Sequence, residues 1–208
     1  MMNRQELSEK FPDFTLHPIK SIDDSLEILY LKSSNPGSWS LLMTNGLSNY
    51  FMPVHEKHIG QERVELFFCL PSYWDMDDDS PNFQWPVKWL TKLAIHAKEK
   101  ETWFGVGHTI QCNKDFSPIS ENMKQTHFLL NRPQITEETM PTLKHPEGGE
   151  IQWLAVLPIF SDEMDYKQGK GTLKLLKKLE AKNINEKLDD YRYSVLKSRF
   201  SLFSKRSK

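Results

Sequence analysis

The sequence predicts a single domain of the α+β type: a mixed, largely antiparallel central sheet flanked by helices. Three observations lead there. Short apolar runs of strand composition come early in the chain, one long segment of helical period sits in the middle, and further strands followed by helical segments come after it. No stretch is repeated, and the loop-rich stretches 76–82 and 131–149 are too short for interdomain linkers. One domain is therefore expected over residues 1–200, with a basic tail at 201–208.

Each element has its own warrant. NRQELSEKF reads as a short N-terminal helix, with Leu7 and Phe11 four apart on one face. SLEILYLK (25–32) and SWSLLMTN (38–45) have strand composition, and Pro36-Gly37 in the intervening SSNPGS predicts a hairpin between them. RVELFFCLP (63–71) is a short apolar run suited to a central strand buried on both faces. The period then changes. In PNFQWPVKWLTKLAIHAKEKE, the residues Trp85, Trp89, Leu93 and Ala97, flanked by Leu90 and Ala94, form a helical stripe running to about Glu101. Pro86 is expected in its first turn, where a missing N–H costs little.

HTIQC, THFLLN and IQWLAVLP (151–158) are further strands. FSDEM then starts a helix, with Ser161 as the expected cap and Asp162 and Glu163 where the helix dipole favours negative charge. Gly169 and Gly171 interrupt that helix before LKLLKKLEAK, whose Leu175, Leu176 and Leu179 share a side. A last helix is expected from Glu186 to about Phe200.

Composition bounds the function classes. Six Trp and twelve Phe can build a core although only 38% of residues are hydrophobic. A formal net charge of -1 gives no general attraction to nucleic acid or anionic membrane. The two cysteines, Cys69 and Cys112, lie in apolar strand-like segments and fit buried thiols in a reducing compartment. The polar N-terminus carries no secretory apolar core, so a cytoplasmic protein is expected.

Candidate chemistry is sparse. FGVGHTI (104–110) has two glycines of a dinucleotide fingerprint, but Ile110 stands where the third glycine belongs and a strand follows instead of a helix. The motif reads as a turn in which Gly107 bends the chain and His108 closes it; as a base, His108 would need a partner such as Glu163. HEKH (55–58) spaces its histidines three apart, not the four of a zinc helix, so no metal site is expected. WDMDDDS carries Asp75, Asp77, Asp78 and Asp79 without the glycine and closing glutamate of a calcium loop. These carboxylates read as solvated, or as a face for a basic protein. The tail from Lys197 on holds five basic residues and no acidic one, and an RNA-binding use of it is a weaker alternative.

Taken together, SLLMTNGLSN, ERVELFFCLP, FQWPVKWLTKLA, ETWFGVGHTIQ, THFLLN and IQWLAVLPIFSDEMDYKQGKGTLKLL resemble the Suppressor of fused (SUFU) family in its bacterial single-domain form. The resemblance implies a single SUFU-like α/β domain with C-terminal helices and no enzymatic activity. Animal members regulate a transcription factor in Hedgehog signalling. This sequence does not extend over their long additional domain, so that role is not expected. Bacterial members are regarded as immunity proteins or antitoxins. By this resemblance the partner is a cognate protein toxin, and a nuclease with a basic channel would be drawn to Asp75, Asp77, Asp78 and Asp79. No cofactor, nucleic acid or membrane contact is expected. Gly46, Gly107, His108 and Glu163 fall in the resembling motifs, as turn, turn, turn-stabilising hydrogen bond and helix start. The alternative is an enzyme of unknown reaction using His108 with Glu163.

Overall fold

The computed structural model describes residues 1–196. Eight strands form one mixed sheet with helices on both faces. β1 (Phe14–Asp23), β2 (Leu26–Ser33), β3 (Ser40–Asn45) and β4 (Val64–Leu70) run as an antiparallel meander. α2 (Pro81–Glu99) then crosses the sheet, followed by β5 (Thr109–Gln111), β6 (His127–Asn131), β7 (Leu143–Lys144) and β8 (Glu150–Ile159). The spatial order is β1-β2-β3-β4-β8-β6-β5, with β7 beside the start of β8. Among the described strands, only the β4–β8 pair is parallel.

The side-chain alternation of the strands explains the layers. Ile28, Leu66, Phe68, Phe128, Leu154 and Val156 point to one face, where Trp85, Trp89, Leu90 and Leu93 of α2 cover them. Leu29, Leu31, Leu41, Met43, Phe67 and Trp153 point to the other, against Leu7 and Phe11 of α1 (Arg4–Lys10) and its C-terminal end. Farther along that second face, Leu129, Leu157 and Ile159 receive Leu175 and Leu179 of α4 (Thr172–Glu180), which follows α3 (Ser161–Lys170).

Four expectations need correction or addition. β1 is a strand the sequence did not announce, because it is an exposed edge whose Pro18 sits beside a register shift. Pro86 lies inside α2, not in its first turn, where Pro81 stands instead. Ser161 is the first residue of α3 rather than its cap; its hydroxyl pairs with Thr126 Oγ1 at 2.9 Å, while the Glu163 carboxylate accepts from the Phe160 N–H at 2.9 Å.

The expected last helix is absent over 186–196, where the chain runs as an irregular strap; residues 197–200 and the basic tail at 201–208 lie outside the described residues. The strap has a reason to be extended. β4 and β8 pair only from Val64↔Gln152 to Phe67↔Ala155 and then part. Into that fork goes Lys187, paired in parallel with Cys69, and the Leu188 N–H donates to the Cys69 carbonyl at 2.9 Å. Glu186 is held on the way in by the Gln134 and Thr136 N–H groups.

Candidate functional site

Three segments meet beyond the C-terminal end of β4: the turn at 37–39, residues 71–73 and the strap at 187–191. Between them lies an open groove of about 500 Å³ lined by Trp39, Pro71, Tyr73, Lys187, Leu188 and Tyr191. Tyr73 and Tyr191 are 50% and 79% exposed, which is unusual for large aromatic rings. Their centroids stand 6.4 Å apart, edge to face. The Tyr73 hydroxyl donates to Asp190 Oδ1 at 2.6 Å; burial, and then this carboxylate, hold the phenol above its ordinary range.

Asp75, Asp77, Asp78 and Asp79 leave the same groove directly. Buried Trp74 pins the start of their loop, its indole N–H donating to the Phe83 carbonyl at 3.1 Å. Asp75 accepts from the Asp77 N–H and Asp78 from the Ser80 N–H, local turns that leave Asp75, Asp77 and Asp79 exposed just ahead of α2.

The FGVGHTI motif is a clamped turn. Gly107 has φ +86° and its N–H donates to the Leu130 carbonyl at 2.8 Å, while the Leu130 N–H donates to the His108 carbonyl at 2.9 Å. The structure brings this motif and HEKH together, which their sequence separation conceals: the Trp103 ring lies 4.7 Å from the His58 ring and 4.2 Å from that of His108. Burial holds the His108 imidazole below its ordinary value, and His58 and Lys167 repel its cation further. His55 merely caps its own turn, accepting from the Lys57 N–H. The described residues hold no group of three or more His, Cys, Asp or Glu placed for a metal ion.

Glu163 is fully buried and committed elsewhere. Its oxygens accept from Arg192 Nη1 and Nη2, both at 2.8 Å, and from the N–H groups of Phe160 and Val195. No hydrogen bond or ion pair joins it to His108 among the described residues, so these two do not form an acid–base pair. Gly46 belongs to a second buried carboxylate, Glu65, near the start of β4. That side chain accepts from Thr44 Oγ1 at 2.5 Å, Gly46 N at 2.9 Å, Ser48 N at 3.1 Å and Ser48 Oγ at 2.7 Å. Burial raises its pKa against these four bonds. Nothing in VELFFCL announces it, because its donors come from the end of β3 and the turn that follows it.

A pH dependence follows. His108, His127 and His145 all have lowered values, each through burial first. Their neutral forms favour the folded state, so stability holds above the unfolded value of about 6.5 and falls as the pH drops towards the depressed native values. Glu65 acts in the opposite sense, since a raised carboxyl gains stability on acidification. The change in the urea midpoint from about pH 7.5 to about pH 5.5 should therefore be more negative in Glu65→Gln than in the wild type; an equal or more positive change in the variant would contradict this.

The fold has known counterparts. Residues 23–192 match the family model described as Suppressor of fused protein (SUFU). The fold resembles a SUFU homolog from Neisseria gonorrhoeae FA 1090 with a TM-score of 0.65 and 14% identity, covering 94% of this chain and 95% of that one. It also resembles a chain of the Sufu-Fu complex, with a TM-score of 0.60, 14% identity and coverage of 96% and 91%. Drosophila Suppressor of Fused follows with a TM-score of 0.57 and 13% identity; there the match covers 96% of this chain and 50% of that one. No curated protein sequence matches the chain. No helix among the described residues is long and apolar enough to cross a membrane.

Proposed function

This chain belongs to the Suppressor of fused family, and on that footing we propose that it is a non-enzymatic binding protein, an immunity protein or antitoxin that neutralises a partner toxin. The observation that carries the reading is the groove beyond β4, where Tyr73 and Tyr191 expose large aromatic surface beside a set of carboxylates. Aromatic side chains of this kind dominate the energetics of protein interfaces. A catalytic reading lacks comparable support, because Glu163 is consumed by Arg192 and His108 packs on Trp103. The Sufu-Fu complex shows a chain of this fold engaged with another protein. The gonococcal homolog, matched over 95% of its length, is a bacterial chain of similar extent. Both lend weight to a single-domain binding module acting on a protein in bacteria.

The test is co-expression with the product of the adjacent gene and pull-down of the tagged pair. A stable complex is expected. Tyr191→Ala, a change at a largely exposed position that circular dichroism should report as folded, is expected to weaken it at least about tenfold, as for a central interface aromatic. No complex with both proteins folded would overturn the reading; an undiminished complex with Tyr191→Ala would move the interface away from the groove.

A further inference from the structure

The groove is chemically one-sided. Asp189 lines it, Asp190 stands behind its Tyr73 wall as the acceptor of that hydroxyl, and the loop that follows Tyr73 in the chain carries Asp75, Asp77, Asp78 and Asp79. Lys187 is the only cation in its lining among the described residues. Among the described residues, none of these six carboxylates is in an ion pair. Asp190 is positioned rather than neutralised: Tyr73 Oη holds one oxygen at 2.6 Å, and Asn122 Nδ2 approaches the other at only 3.4 Å. Asp189 Oδ1 accepts from the Tyr191 N–H at 2.9 Å, which fixes the carboxylate beside the more exposed ring.

An aromatic face next to a fixed carboxylate is complementary to a planar cation. The ring attracts the charge, and the carboxylate takes the N–H fork. A guanidinium meets both demands, whereas an ammonium is more strongly hydrated and has no plane to stack. We propose that this groove binds the guanidinium of an arginine presented by the partner protein, with the Tyr191 ring as platform and Asp190 as acceptor, while the Asp75–Asp79 loop draws in basic residues around it. This rests on the protein-binding reading above and specifies the partner's contact surface: basic, with at least one projecting arginine.

Calorimetric titration of the full chain with a hexa-arginine peptide tests it, with hexa-lysine and hexa-glutamate peptides as comparisons. Hexa-arginine should bind several-fold more tightly than hexa-lysine, and hexa-glutamate not at all. Asp190→Asn, a change of nearly identical shape, and Tyr191→Ala should each weaken hexa-arginine binding at least about tenfold. Affinities within twofold of wild type in both variants, or equal affinity for the two basic peptides, would overturn the assignment. A full-length variant with Lys197, Arg199, Lys205, Arg206 and Lys208 changed to serine should bind as wild type does. A tenfold gain there would make the chain's own C-terminus the occupant and also overturn it. If hexa-arginine fails to bind while the neighbouring gene's product is still captured, the arginine site is wrong and the protein-binding reading stands. If hexa-arginine binds and the neighbouring product is not captured, the arginine site stands and the toxin-neutralising reading falls.

Discussion

Changing Arg192 to methionine is expected to remove about 3–5 kcal/mol of folding stability, read as a drop in the urea midpoint. Glu163 has no exposed surface, and Arg192 is its only charge partner among the described residues, through two bonds of 2.8 Å. Arg192 also donates to the Pro158 carbonyl at 2.6 Å and lies over the Phe160 ring. Without it, an ionised carboxylate remains buried with only the Phe160 and Val195 N–H groups for company. A domain holds only about 5–15 kcal/mol in total, so the variant should sit at the edge of folding. The double change Arg192→Met with Glu163→Gln should recover much of the loss, because the uncompensated charge is gone. A single-variant loss below about 1 kcal/mol would mean that water reaches Glu163 and that the pair behaves as a surface bridge.

Gly46→Ala is expected to cost about 4 kcal/mol or more, placing it among the severe single changes. A Cβ at position 46 would stand 1.9 Å from the Ser25 carbonyl oxygen, which is backbone and cannot swing aside. The residue also has φ +113°, where a side chain is strained whatever the space. Relieving the clash would move the Gly46 N–H off Glu65, so a steric fault becomes an electrostatic one. Gly37→Ala is the control: φ is +78° but nothing lies within 4 Å, so only about 1–2 kcal/mol of left-handed strain is expected. Equal losses at the two positions, measured by thermal or urea unfolding, would remove the close-approach argument.

Much of the fold is legible in the residues, and the exceptions share a cause. β2, β3, β4, β6, β8 and α2 are announced because their side chains face the core, and burial writes the period into the sequence. β1 faces mostly solvent, so FTLHPIKSID carries little of that signal, and an edge tolerates Pro18. The strap reads as a helix because Leu188, Tyr191 and Val195 recur at helical spacing. Tertiary demands decide otherwise: buried Glu186 reaches the loop at 134–136 and Lys187 pairs with Cys69. The turn roles of Gly46 and Gly107 are readable from glycine itself. The donors gathered on Glu65 and Glu163, the packing of His58 and His108 against Trp103, and the groove were not. Each is assembled from segments distant in sequence, and no local pattern records a partner that far away. The loop of Asp75, Asp77, Asp78 and Asp79 is visible as charge next to Tyr73, but only the fold brings Tyr191 to that tyrosine.

The fork between β4 and β8 bears on how the chain is made. β4 leaves the ribosome some eighty residues ahead of the strand it pairs with, and the strap that seals their parting follows later still. The β1–β4 meander can form early from local contacts, but its inner edge must wait, apolar and unpaired, until β8 and then Lys187 and Leu188 have emerged. During that interval β4, buried along its whole length in the finished protein, is the stretch most in need of a chaperone.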